Sequence, residues 1–121
     1  MGFFSSSKNK SQLIWNDLSE VSQLNELIEL SHTTPVLILK HSTRCSISGM
    51  AKNRLEMYWE TSVGIAPYYL DILNHRNVSD ELAKKFNIRH ESPQILLLKN
   101  GASIFHASHN EIDFNKLKTL V

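Results

Sequence analysis

At 121 residues the chain can bury one ordinary core, and with 41% hydrophobic and 21% charged residues it has the balance of a globular domain, not a fibrous or disordered one. Thirteen basic and twelve acidic side chains leave a formal net charge of +1, which gives no electrostatic grip on nucleic acid or an acidic membrane. No apolar run approaches the roughly 18 residues a membrane span needs, and one cysteine excludes an internal disulfide and fits a reducing compartment, so the cytoplasm is the expected location.

Residues 1–11, rich in Ser and Lys and without periodicity, read as a flexible tail, and 12–121 as the folded domain. Gly2 and Ser6 match a loose acylation pattern, but the polar residues around them favour a plain leader. Leu13-Ile14-Trp15 suggests a short edge strand. A helix follows, with Ser22 as N-cap, Val21 placed to staple the start, and Leu24, Leu27, Ile28 and Ser31 at the spacing of one buried face. Thr34-Pro35 ends it. Val36-Leu37-Ile38-Leu39 is a continuous β-prone apolar run, as expected for a strand covered on both faces at the centre of a sheet. From Cys45 the period turns helical, with Ile47, Met50, Ala51, Leu55 and Tyr58 on the expected inner face and Lys52, Asn53, Glu56 and Glu60 off it.

After Gly64, the stretch from Ala66 to Leu73 reads as a further inner strand. Ser79 is the expected N-cap of a helix with Asp80 and Glu81 in its first turn, Leu82, Ala83 and Phe86 inside, and Asn87 as its stop. Ile95-Leu96-Leu97-Leu98, Asn100-Gly101 and the run from Ala102 to Ala107 form the strongest hairpin signal in the chain. A last helix over about 111–120 is expected to start at Asn110 and to bury Ile112, Leu117 and Leu120. The order β-α-β-α-β-α-β-β-α describes an α/β domain with parallel crossovers early and an antiparallel hairpin late, hence a central mixed β-sheet flanked by helices.

The stretch His41-Ser42-Thr43-Arg44-Cys45-Ser46-Ile47-Ser48 lies where the apolar run passes into the helical pattern. A thiol at a helix N-terminus meets backbone N–H groups that lack intrahelical partners, and these favour the thiolate, the form that attacks disulfides. Arg44 adds a cation, and Thr43, Ser46 and Ser48 add hydroxyls. Ser48, one helical turn after Cys45, can donate to its sulfur but cannot form a disulfide with it. A mixed disulfide at Cys45 therefore needs an external thiol to resolve it. His41 is a candidate support for this loop.

The element order, the cysteine at the head of the second helix and Pro93 just before the fourth strand resemble the thioredoxin superfamily, from Leu13 to Leu120. More narrowly, the run from Lys40 to Ser48, Tyr69-Leu70-Asp71, Ser92-Pro93-Gln94 and Lys99-Asn100-Gly101 are similar to the YtxJ family, the monothiol bacilliredoxins of bacillithiol-using bacteria. The resemblance implies a thioredoxin-like fold and removal of bacillithiol, or a similar low-molecular-weight thiol, from mixed disulfides on client proteins. It implies no bound cofactor, with bacillithiol as co-substrate. Carried over residue by residue, Cys45 would be the nucleophile and Ser48 would stand where dithiol relatives have a resolving cysteine. Pro93 would be a cis-proline whose preceding residue, Ser92, offers its backbone to an extended thiol substrate. On the residues alone trans is the ordinary expectation, since only about 5–6% of X–Pro bonds in folded proteins are cis; the resemblance reverses it.

Two other functions fit part of the pattern. Monothiol glutaredoxins share a Cys-x-x-Ser loop and carry an iron–sulfur cluster between two subunits, but they have Gly and Phe where this chain has Ser46 and Ile47, and the bulk of Ile47 argues against close approach of a bridging cluster. A redox-inactive thioredoxin-like adaptor would leave Cys45 incidental. His106 and His109 form His-x-x-His with no second cysteine to complete a zinc pattern, so no metal is expected. Trp15, Trp59, Tyr58, Tyr68 and Tyr69 read as core or half-buried aromatics, and Lys84, Lys85 and Arg89 as a solvated helix face.

Overall fold

The apolar run at Val36–Leu39 forms the first four residues of a strand that continues to His41, β2 (Val36–His41), and all six of its residues are buried. The computed structural model describes residues 13–121; the expectations for the tail at 1–11, with Gly2 and Ser6, lie outside the described residues. Around β2 stand β1 (Asn16–Asp17), α1 (Gln23–Leu30), α2 (Ser46–Tyr58), β3 (Ala66–Asp71), α3 (Arg76–Phe86), β4 (Gln94–Lys99), β5 (Ala102–Ser108) and α4 (Phe114–Lys118), with single 3-10 turns at Thr61–Val63 and His109–Glu111. The five strands lie in the order β1-β3-β2-β4-β5. β1 and β2 run parallel to β3, β4 runs antiparallel to β2, and β5 antiparallel to β4.

Alternation along β2 divides the core. Leu37 and Leu39 pack with Ala51 and Leu55 of α2 and Phe114 and Leu117 of α4. Val36 and Ile38 pack with Leu24 and Leu27 of α1 and Val78 and Leu82 of α3. Helices on both faces explain why β2 and β4 are so uniformly apolar, and each fully buried Leu or Ile contributes roughly 1.5–3 kcal/mol. The hairpin forms as expected, with Asn100 and Gly101 both left-handed at φ 54 and 82. Asn87 ends α3 in the left-handed region at φ 53.

Several boundaries differ from the sequence reading. The edge strand is Asn16–Asp17, not Leu13–Trp15, because Trp15 is drawn inward: its Nε1–H donates to Glu56 at 2.7 Å and its ring lies 6.2 Å from Trp59. Ser22 is already helical and caps nothing; Gln23 does so, its Oε1 accepting from the N–H groups of Ser19 and Glu20 at 2.8 and 3.0 Å. Val21 is left exposed. β3 stops at Asp71 because its carboxylate accepts from the N–H of Leu73 at 3.0 Å and from the Asn74 side chain at 2.8 Å, a tight turn that starts α3 at Arg76. Ser79 is therefore buried inside the helix, not at its cap. Asn110 lies in a 3-10 turn, and α4 is capped by Asp113, whose carboxylate accepts from the Asn115 N–H at 3.1 Å.

The largest correction concerns α2. Its buried face is Ser48, Ala51 and Leu55, continued by Trp59, whereas Ile47, Met50 and Tyr58 are exposed. The expected inner face holds at Ala51 and Leu55 and fails at Ile47, Met50 and Tyr58, because the inward residue of the first turn, Ser48, is polar.

Candidate active site

β2 ends at His41, and the chain turns through Ser42 to Cys45, whose N–H donates to the Ser42 carbonyl at 3.1 Å. Cys45 is the N-cap of α2: its backbone is extended, at φ −112 and ψ 117, and its carbonyl accepts the first helical bond from Gly49 at 3.1 Å. The thiol is half-buried. No side chain caps α2, so the first-turn N–H groups are left to the sulfur and to solvent. Thr43, Arg44 and Ser46, expected to support a thiolate, are exposed around it. Thr43 and Arg44 line an open cleft with Leu73 and Asn74 from the β3–α3 turn.

Ser48 does not serve the sulfur. Its hydroxyl lies 2.6 Å from His41 Nδ1 and accepts from the Ser42 N–H at 3.1 Å, and the residue is 0% exposed. Among the described residues no side chain donates a hydrogen bond to Cys45. The physical reason is the phase of α2, which turns position 48 onto the end of β2. His41, proposed as loop support from the sequence, is thus joined to both ends of the turn that carries Cys45. Burial lowers its pKa below 6.5, helped by the nearby Lys52 cation and opposed by Asp71, a hydrogen bond with the Ser48 backbone and Glu56. Its ring sits 5.6 Å from that of Tyr69.

The Ser92–Pro93 peptide is cis. Because Gln94 pairs with Lys40, this peptide lies beside the end of β2 from which the Cys45 loop departs. Pro93 accepts from the His109 N–H at 3.1 Å, and Arg54 of α2 donates to the His109 and Ile112 carbonyls at 3.0 and 3.2 Å, tying this edge to the helix. Ser92 Oγ is, among the described residues, the one buried side-chain polar atom without a hydrogen-bond partner. His109 lies 3.7 Å from Glu91, yet no three potential metal ligands converge among the described residues.

Lys40 escaped the sequence reading. It is 1% exposed, on the face of β2 opposite His41, and its ammonium donates to Gln94 Oε1 at 2.9 Å. Gln94 in turn donates to the Arg89 carbonyl at 3.0 Å. Burial pushes the lysine down from 10.5 to about 8, with Asp80 and Glu91 opposing. The signal was present: a strand covered on both faces buries whatever residue closes it.

Residues 16–117 match the family model of the monothiol bacilliredoxin BrxC. A solved structure described as an oxidoreductase with a thioredoxin fold is 33% identical over 85% of this chain and 89% of its own, with a TM-score of 0.75. Mitochondrial thioredoxin 3 of Saccharomyces cerevisiae is 17% identical over 88% of this chain and 95% of its own, with a TM-score of 0.68. Fasciola hepatica thioredoxin is 15% identical over 87% and 97%, also at 0.68. At that identity the two thioredoxins are alike in fold alone. The family match, the mixed sheet with helices on both faces and the one cysteine at the head of α2 agree, and the chain belongs to the monothiol bacilliredoxin family, with a thioredoxin fold.

Proposed function

We propose that the protein is a monothiol thiol-disulfide oxidoreductase that removes bacillithiol, or a similar low-molecular-weight thiol, from mixed disulfides on cytoplasmic client proteins. The observation that carries this is the position of Cys45: a half-buried thiol at an uncapped helix N-terminus, next to a strand end flanked by a cis-proline. Family membership supports the reaction class. No described helix is long and apolar enough to cross a membrane, which agrees with a client pool in solution.

In the first step the Cys45 thiolate attacks the bacillithiol sulfur of the client mixed disulfide. That S–S bond breaks, a new one forms to Cys45, and the client thiolate leaves and takes up a proton. Ser48 offers no sulfur, so a second low-molecular-weight thiolate attacks the adduct, releases the Cys45 thiolate and departs as a symmetric disulfide. In net one external thiol is consumed: its sulfur is oxidised to the disulfide level as the client sulfur returns to the thiol, and Cys45 ends as it began. Arg44, Thr43 and Ser46, exposed next to Cys45 in the chain, are the side chains assigned to support the thiolate, and Ser92 and Pro93 are assigned to meet an extended client segment. The test is mass spectrometry of the protein incubated with a bacillithiolated client: the adduct mass is expected on Cys45, and its loss from the client by a Cys45→Ser protein would refute the reading.

A further inference from the structure

A serine hydroxyl has one proton to give and two lone pairs to fill. Ser48 Oγ receives the Ser42 N–H at 3.1 Å and lies 2.6 Å from His41 Nδ1, and these are its partners among the described residues. At 0% exposure water cannot take the proton. If His41 Nδ1 carried a hydrogen, Ser48 would receive two protons and have no acceptor for its own, a buried loss that structures avoid. Nδ1 must therefore be the acceptor, and His41 is the neutral tautomer protonated at Nε2.

Ser48 also lies at the third helical position after Cys45, and residues three apart are neighbours on a helix surface. Without His41, the hydroxyl loses its acceptor and is free to turn along this face of the helix, toward the Cys45 sulfur three residues before it. We infer that His41 is a positioning residue that holds the Ser48 hydroxyl away from Cys45. The consequence rests on the proposed role of Cys45 as the reacting atom. A thiolate that accepts a hydrogen bond is stabilised, ionises at lower pH and attacks more slowly once ionised. By filling Nδ1 with the Ser48 proton, the protein leaves the sulfur to backbone groups and keeps it nucleophilic.

The experiment is a double-mutant cycle on the reduced protein, read by thiolate absorbance at 240 nm across pH and by the rate of alkylation with iodoacetamide. His41→Phe keeps a ring against Tyr69 and removes the acceptor; His41→Leu does the same without the ring, should the first variant fold poorly. With His41 in the neutral tautomer that the Ser48 hydrogen bond requires, neither change alters charge. In either variant the freed hydroxyl is expected to lower the midpoint of the Cys45 titration by about 0.5–1 unit, and to slow alkylation of the fully formed thiolate by about twofold to threefold. Adding Ser48→Ala restores both readouts, and His41→Asn, whose carbonyl can take the place of Nδ1, stays near the parent. A merely structural role for His41 would not be undone by deleting a second hydroxyl. Equal titrations for His41→Phe and His41→Phe/Ser48→Ala, or the same drop in Ser48→Ala alone, would overturn the inference. No client or bacillithiol is used, so this outcome is separate from that of the adduct-transfer test: Cys45 can answer to His41 in a protein that never removes bacillithiol, and the reverse.

Discussion

Replacing Lys40 by Met removes a buried ammonium of nearly the same length and tests how much its charge costs the fold. Folded Lys40 titrates near 8 against an ordinary 10.5, because burial outweighs the attraction of Asp80 and Glu91. Between these values the unfolded chain binds the proton more tightly than the folded one, so stability must rise as pH increases through that window. Lowering from 10.5 to about 8, at roughly 1.4 kcal/mol for each tenfold change in proton affinity, corresponds to about 3.5 kcal/mol at the alkaline limit. Between pH 7 and pH 10 only part of this develops, about 2–2.5 kcal/mol, because the folded lysine already begins to lose its proton at pH 7 and the unfolded one at pH 10. Absolute stability at neutral pH is a poor measure, since the Met variant also orphans Gln94 Oε1, which now accepts from Lys40 at 2.9 Å, and a lost buried partner costs about 1–3 kcal/mol. The pH dependence is free of that offset. Urea unfolding followed by the fluorescence of Trp15 and Trp59, at pH 7 and pH 10, is expected to show the parent gaining about 2–2.5 kcal/mol relative to Lys40→Met on going alkaline. Curves that stay parallel within about 0.5 kcal/mol would mean that Lys40 keeps its proton at its ordinary strength, and would refute the burial argument.

Two further predictions concern the junction between α1 and the hairpin. Gly101 has φ +82, and a Cβ there would come within 3.0 Å of His32 Cε1, so Gly101→Ala combines left-handed strain with a side-chain clash; a loss of about 1–2 kcal/mol is expected in thermal unfolding. Ser31 Oγ donates to the Ile28 carbonyl at 2.6 Å and accepts from the Gly101 N–H at 2.8 Å, while the Ser31 carbonyl accepts from Asn100 at 2.8 Å. Ser31→Ala is expected to lower stability by about 1–3 kcal/mol in urea unfolding and to speed exchange of the Gly101 amide.

Much of the fold was legible because it follows from continuous patterns. The run at Val36–Leu39, the Asn100-Gly101 turn and the left-handed stop at Asn87 are each local and unambiguous. The errors cluster where a side chain overrides local propensity. Ser22 and Ser79 are good caps in isolation, but Gln23 and the Asp71 turn reach the exposed N–H groups first. In α2 the apolar residues Ile47, Met50 and Tyr58 misled because the position that faces β2 is a serine, and its partner, His41, is seven residues away in another element. The thiol was recognisable from residue type and order and the cis-proline from the family resemblance alone, whereas the tautomer of His41 and the pairing of Lys40 with Gln94 exist only once β2, α2 and β4 are assembled.

Those two pairs define the same end of the sheet. β2 closes on consecutive polar residues that point to opposite faces, and each finds one partner on a different neighbour. Lys40 reaches Gln94, directly after the cis-proline that begins β4, and His41 reaches Ser48, in the first turn of the helix that Cys45 caps. An apolar residue in either place would pack well but would fix neither register nor rotation, since leucine contacts tolerate sliding that a hydrogen bond between buried groups does not. The strand end is thereby tied on one side to the start of β4, directly after the cis-proline, and on the other to the helix headed by Cys45. Burying Lys40 weakens the fold, and burying Ser48 turns the apolar residues of α2 outward, but together they hold Cys45 and Pro93 in one frame.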